Sequence, residues 1–180
     1  MKKKICALSV FIIVIPIFLA HALEWRELNS KAGAFSVSMP GTPKLKKKVD
    51  HTPIGKVGED IYELKTKKVT FSAEYSDLPE LAVLFGGHHT IYKKANAGFL
   101  KNVKGKQLSE KKFKLEGNKG IEVKYETATR VGKVIYLMLH KRLYVMQASV
   151  LKPVKDLSVV DKYMKSFRPR LKVRKLKQKN

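Results

Sequence analysis

The sequence predicts an α+β domain, an antiparallel sheet of about six to seven strands on which a long helix and a C-terminal helix pack. Three observations predict it. Apolar residues alternate with polar ones in several short runs, such as Phe35, Val37 and Met39 against Ser36 and Ser38, or Val69, Phe71, Ala73 and Tyr75 against Thr70, Ser72 and Glu74. That is the period of a strand with one buried face. Apolar residues also recur at steps of three, four or seven at Leu81, Leu84, Ile91, Ala95, Phe99 and Val103, and again at Leu157, Val160, Met164 and Phe167, the period of a helix with one buried stripe. The order strands, long helix, strands, final helix segregates the helices from the strands, which is the α+β pattern.

The chain opens with Met1-Lys2-Lys3-Lys4, runs apolar from residue 5 to 20 and reaches Ala20-His21-Ala22. These are the basic, apolar and small-x-small parts of a cleavable export signal. Residues 1–22 are therefore read as a signal peptide, cleaved near Ala22, with an uncleaved N-terminal anchor as the alternative. The run falls short of the roughly 20 apolar residues of a membrane-spanning helix. Cys6, the one cysteine, lies in this leader, so the mature chain has no disulfide, thiolate nucleophile or cysteine metal site. Its 158 residues, 23–180, suit one domain held by its own core. Residues 23–167 are assigned to that domain and 168–180 to a basic, flexible tail.

Within the domain, residues 23–34 read as a lead-in, with Trp25 and Leu28 covering an edge of the core. The strand at Phe35 ends at Pro40-Gly41-Thr42-Pro43. Residues 44–50 suit an edge strand, where Lys46-Lys47-Lys48 discourage pairing with other chains. His51-Thr52-Pro53-Ile54-Gly55 reads as a turn, and 57–65 as a strand with Tyr62 and Leu64 on one side. Asp77-Leu78-Pro79-Glu80 resembles a capped helix start, but Gly86-Gly87 interrupts the pattern, so the long helix begins either there or near His88. Gly105 ends it. Strands follow at 107–115 and from Ile121 to Tyr125, separated by Glu116-Gly117-Asn118-Lys119-Gly120. Arg130-Val131-Gly132 reads as a turn. Residues 133–139 and 143–151 are the most apolar strands and belong at the centre. Their link, His140-Lys141, lacks the glycine or asparagine of a two-residue hairpin and leaves the register open. Asp156 suits the cap of the last helix.

Several segments together resemble small exported bacterial domains of the PsbP-like superfamily. They are Trp25 with Phe35-Ser36-Val37-Ser38-Met39-Pro40-Gly41-Thr42-Pro43, then Tyr75-Ser76-Asp77-Leu78-Pro79, then Gly105-Lys106-Gln107-Leu108-Ser109-Glu110-Lys111. Gly117-Asn118-Lys119-Gly120-Ile121-Glu122, Arg142-Leu143-Tyr144 and Ser166-Phe167-Arg168 complete the set. The resemblance covers nearly the whole mature chain. It implies a PsbP-like α/β/α sandwich, a central antiparallel sheet with helices on both sides. PsbP is an extrinsic photosynthetic subunit that helps retain calcium and chloride. Nothing in this sequence matches a photosynthetic setting, and the family offers no catalytic motif to carry over. The basic tail beyond Phe167 stands outside its pattern.

Three of the 38 basic residues lie in the leader, leaving 35 against 15 acidic, a formal charge of +20. Such a field attracts polyanions. Thirty-two of the 38 are lysine and six arginine, and lysine is a hydrated point charge where arginine is the bidentate reader of phosphate. Solubility alone is therefore an alternative use of the charge. Seven of the last 13 residues are basic and none is acidic. Arg168, Arg170, Lys172, Arg174, Lys175, Lys177 and Lys179 are the candidate docking residues for an anionic partner; the alternative is a solvated tail.

No catalytic or metal-binding residue is assigned and no cofactor is expected. His88 and His89 are adjacent, so on a helix they diverge by about 100° and do not readily share a metal; His88 falls in step with the apolar face, which favours packing or capping. Glu63, Glu74, Glu110, Glu122 and Glu126 are scattered over strand faces. Gly-x-Ser-x-Gly, a glycine-rich phosphate loop and His-Glu-x-x-His are all absent from the sequence. The expected protein is a monomeric, non-enzymatic binding or accessory domain in the periplasm or secreted medium. It would dock by a basic surface or tail on an anionic envelope surface or acidic protein, with no specific nucleic acid. The alternative is a periplasmic enzyme with a cleft lined by His and Glu.

Overall fold

The computed structural model of the chain describes residues 24–52, 55–154 and 156–170. Residues 1–22, read as a signal peptide, and the tail expected beyond Arg170 lie outside the described residues.

The strands are β1 (Arg26–Ser30), β2 (Phe35–Met39), β3 (Lys44–Thr52), β4 (Gly55–Lys65) and β5 (Val69–Asp77), followed by helix α1 (Glu80–Asn102). Then come β6 (Lys106–Leu115), β7 (Asn118–Glu126), β8 (Arg130–Leu139), β9 (Arg142–Leu151), helix α2 (Ser158–Ser166) and the two-residue β10 (Arg168–Pro169). Seven strands form one antiparallel sheet in the order β3-β4-β5-β9-β8-β7-β6, and β1-β2-β10 form a second, small one. The predicted α+β architecture is present, and β9 and β8 are central, as their apolar composition required.

The strand period divides the core in two. On β8, Ile135, Leu137 and Leu139 enter a cluster with Phe71 and Ala73 of β5, Tyr144 and Met146 of β9, the β2 side chains Phe35, Val37 and Met39, and Val160, Tyr163, Met164 and Phe167 at α2. The intervening Val134, Tyr136 and Met138 enter a second cluster with Ile121, Val123 and Tyr125 of β7 and Tyr92 of α1. The sheet is thus covered on one face by α2 and the small sheet and on the other by α1. This explains why β8 is apolar at nearly every position although the sheet is antiparallel.

Buried polar atoms tie these layers. The Tyr92 hydroxyl accepts from the Met138 N–H at 2.8 Å and donates to the Lys119 carbonyl at 2.9 Å. Asn96 donates to Gln107 at 2.8 Å, and Tyr136 donates to Asn96 at 3.3 Å. On the other face, Tyr163 donates to the Ser72 carbonyl at 2.6 Å and Tyr144 to the Gly33 carbonyl at 2.8 Å.

Several boundaries differ from the sequence reading. Residues 26–30 are a strand, not a lead-in, paired along their length with β2; Trp25 and Leu28 do pack on the core. The hairpin at 51–55 is tighter, with β3 reaching Thr52 and β4 starting at Gly55, whose φ is +119°. Asp77 does not cap α1: the cap position is Pro79, without a side-chain bond. Helix α1 breaks at Gly87 (φ 63°, ψ 153°). The break rotates the first segment out of phase, so Leu81 and Leu84 are exposed while Leu78 and Val83 pack inward. Ile91, Ala95, Phe99 and Val103 pack as predicted. The turn read at residues 130–132 lies instead before Arg130, where the Thr127 hydroxyl accepts from the N–H groups of Thr129 and Arg130. His140 takes the left-handed conformation (φ 54°) and closes a tight β8–β9 hairpin in which Leu139 faces Arg142. Asp156 accepts from the Ser158 N–H at 2.8 Å, at the start of α2. Sheet pairing continues past Phe167, because Arg168 and Pro169 pair with Ser36 and Phe35.

Candidate functional site

The described residues of the basic tail, Arg168 to Arg170, are anchored in the fold. Arg168 donates to the carbonyls of Lys165 at 2.6 Å and Phe167 at 2.8 Å. The Arg170 N–H donates to the Ala34 carbonyl at 2.7 Å, and its guanidinium meets Glu27 at 3.4 Å. Arg170 therefore lies beside the small sheet. Lys172, Arg174, Lys175, Lys177 and Lys179 lie outside the described residues.

The two edges of the large sheet are both rich in lysine, but they differ electrostatically. On β3, Lys46 meets Glu63 at 2.5 Å, Lys47 meets Asp60 at 4.0 Å and Lys48 meets Glu59 at 3.9 Å, all across the β3–β4 pair. Burial pushes the Glu63 carboxyl up, but hydrogen bonds from Lys46 and Lys65 outweigh it and hold the group below its ordinary value. Lys46, Lys47 and Lys48 are thus each offset by a carboxylate of β4, on an edge that their charge also guards against further strand pairing.

The opposite end differs. Lys106 meets Glu126 at 3.1 Å, and Glu122 is taken by Lys133 at 3.0 Å. Lys111, Lys112, Lys114 and Lys119 are exposed, with no ion pair among the described residues. Residues Glu116 (φ 49°) and Gly117 (φ 83°) form the two-residue turn, both left-handed as a type I′ hairpin needs. That turn fixes the register: Lys114 stands opposite Lys119, and Lys112 opposite Ile121.

Beside this hairpin lies a cavity of about 560 Å³. Lys112, Lys114 and Lys119 line it from the hairpin, and Tyr92 and Ile121 give it apolar surface, while the Phe113 side chain between the lysines packs on the opposite face of the sheet. His88 and His89, the first residues after the break at Gly87, line it from α1. His88 is exposed, not packed in the apolar stripe, with its ring 6.3 Å from that of Tyr92. The Tyr92 hydroxyl has both its bonds made elsewhere, so the cavity receives its ring but no polar group from it.

No carboxylate lines this cavity. The glutamates singled out in the sequence lie elsewhere. Glu126 pairs with Lys106 and Lys152, and Glu122 with Lys133; Glu110 is exposed on β6. Glu74 accepts from the Ser72 hydroxyl at 2.6 Å. Burial, with Glu59 and Glu63 nearby, pushes its carboxyl up against the opposing pull of Ser72 and Lys48. The arrangement so brings histidines together with lysines, and glutamates with one another. It can bind an anion at the first place; it does not unite a histidine with a carboxylate at either. Among the described residues, no three His, Cys, Asp or Glu side chains converge on a metal position, and no helix is long and apolar enough to cross a membrane.

The sequence reading missed the lysine cavity. Its signal was the hairpin register: a two-residue turn at Glu116-Gly117 puts Lys114 across from Lys119, and the strand period adds Lys112 to the same face.

No protein-family profile matches the chain, and no curated protein matches it in sequence. Among solved structures, a Pseudomonas aeruginosa protein of unknown function is 9% identical over 78% of this chain and 91% of that one, with a TM-score of 0.42. The cyanobacterial PsbP of Synechocystis sp. PCC 6803 is 12% identical over 83% of this chain and 95% of that one, with a TM-score of 0.58. That likeness speaks for architecture alone, and it agrees with the layers described above: the chain has the PsbP-like fold.

Proposed function

We propose that the chain is an exported, non-enzymatic binding or accessory domain that docks by its basic surface and tail on an anionic envelope partner. One observation carries the reading: Lys46, Lys47 and Lys48 of the β3 edge pair with carboxylates, whereas among the described residues Lys112, Lys114 and Lys119 at the β6–β7 end make no ion pair, and Lys114 and Lys119 face each other. Charge kept only for solubility needs no such asymmetry. The tail adds five further cations beyond Arg170, and each basic residue near an anionic membrane contributes about 1 kcal/mol before screening.

The test compares the protein with a variant carrying Lys172→Gln, Arg174→Gln, Lys175→Gln, Lys177→Gln and Lys179→Gln. Binding is measured to phosphatidylglycerol vesicles, to the same vesicles carrying lipopolysaccharide, and to phosphatidylcholine vesicles. The expected result is anionic-selective binding that persists at about 0.15 M salt, where the Debye length is about 8 Å, and that weakens in the variant. Equal and negligible binding by both proteins would overturn the reading.

A further inference from the structure

We propose that the cavity between the second segment of α1 and the β6–β7 hairpin binds a small phosphate monoester with an apolar or aromatic body. It deepens the docking reading, since Lys112, Lys114 and Lys119 belong to the same uncompensated face, and it rests on that reading to this extent.

Four features lead there. The volume, about 560 Å³, falls inside the range of roughly 300–1,000 Å³ common for small-molecule sites. Lys114 and Lys119 stand directly opposite one another across the strand pair, a placement of like charges that destabilises a sheet and that a bound anion relieves. Glu110 and Glu116, the acidic neighbours on the same hairpin, make no ion pair with these lysines. The remaining surface comes from Tyr92 and Ile121; with the Tyr92 hydroxyl committed to Met138 and Lys119, that part offers a ring and methyl groups only. A ligand complementary to both halves has an anionic head and an apolar body.

The charge number selects the head. Three lysines, with His88 and His89 at the start of a helical segment whose end carries about half a positive charge, suit a dianion better than a single carboxylate. A phosphate monoester carries about −1.5 to −2 near pH 7, and lysine recognises phosphate as a point charge. The absence of any carboxylate from the lining removes the group that would repel it.

The experiment titrates the protein with phenyl phosphate, inorganic phosphate and phenol, followed by calorimetry and by the NMR signals of Tyr92 and Ile121. Phenyl phosphate is expected to bind with a dissociation constant below about 1 mM and to exceed inorganic phosphate and phenol by about tenfold or more. A Lys112→Gln/Lys114→Gln/Lys119→Gln variant should lose about tenfold or more of that affinity while melting no lower than the parent, because a repulsion has been removed. Short-chain phosphatidic acid below its micellar concentration forms a second arm. Tighter binding than phenyl phosphate, lost in the same variant, assigns the head to a lipid; weaker binding assigns it to a soluble ester. Unchanged affinity in the triple variant, shifts remote from Tyr92 and Ile121, or equal binding of inorganic and phenyl phosphate would overturn the proposal. The five-residue tail variant should bind phenyl phosphate like the parent. Vesicle binding without phenyl phosphate binding would sink this inference and leave docking standing.

Discussion

Arg142 and Asp77 meet as a fork, with Nε donating to one carboxylate oxygen at 2.7 Å and Nη2 to the other at 2.6 Å. The third guanidinium nitrogen, Nη1, donates to the Ala32 carbonyl at 2.8 Å, and the group lies 4.9 Å from the centre of the Tyr75 ring. One side chain therefore joins β9, the end of β5 and the loop between β1 and β2. Its side chain is only 15% exposed, so water replaces these bonds poorly. A lysine reaches one partner and cannot form the fork. Arg142→Lys is expected to lower stability by about 1.5–3 kcal/mol, the scale of hydrogen bonds to charged groups, measured by urea unfolding.

Two carboxyls should move stability with pH in opposite directions. The hydrogen bonds from Arg142 hold Asp77 below its ordinary value despite some burial. Its stabilisation is complete above the unfolded-state value, about 3.9, and is lost as pH falls through the lower folded-state value. Burial holds Glu74 above its ordinary value, so its contribution is present below about 4.3 and is lost as pH rises through the folded-state value. Glu74→Gln keeps an acceptor for the Ser72 hydroxyl and removes the ionisation. The variant should match the parent in acid and gain on it as pH rises, whereas Asp77→Asn should lose ground at neutral pH and converge in acid. Urea midpoints between about pH 3 and 8 check both; a Glu74→Gln difference independent of pH would refute the burial argument.

Where one residue decides its own environment, the fold is legible in the sequence. Because burying one face selects period 2 or 3.6, alternation placed β2, β4, β5 and β7, and apolar runs placed β8 and β9. The stripe Leu157, Val160, Met164 and Phe167 packs on the core, although Tyr163, buried with it, was not read into it. What was missed depends on partners distant in the chain. Arg26–Ser30 has little alternation of its own and is a strand because β2 pairs with it. Asp77 looked like a cap, but an arginine 65 residues away competes for it. Leu81 and Leu84 keep the helical period yet miss the core, since the backbone at Gly87 changes direction. The lysine cavity required two strands and a helix at once, and only its hairpin register was local.

Tyr92 links α1 to the sheet through two backbone groups, so its hydroxyl matters more than its ring position suggests. Tyr92→Phe keeps the ring and strands the Met138 N–H and the Lys119 carbonyl without this partner. Leaving a buried polar group unpaired costs about 1–3 kcal/mol. The variant should unfold at lower urea by that amount, and hydrogen exchange at the Met138 amide should quicken more than at amides on the α2 face of the sheet. Uniform quickening would mean that the bond is no more than part of the general stability.

Gly132 was read as a turn residue, and its place inside β8 gives the last prediction. A side-chain carbon there would lie 2.4 Å from the Ala148 carbonyl oxygen and 2.9 Å from the Ser149 Cα. Both obstacles are backbone of the central strand β9, which cannot swing aside as a long side chain would. The glycine is therefore needed for close approach of two strands. Gly120 on β7 offers a control: a carbon there meets the Phe113 ring at 2.5 Å but also the Tyr136 carbonyl at 2.7 Å. Gly132→Ala should force β8 and β9 apart and cost about 1–3 kcal/mol or more, the scale of overpacking. Gly120→Ala should cost less once Phe113 is also replaced by alanine, because part of its clash is a movable ring, whereas no single side-chain truncation should rescue Gly132→Ala. Rescue of Gly132→Ala by Ser149→Gly, which leaves both backbone obstacles in place, would show that side-chain crowding, and not strand approach, selects glycine at this position.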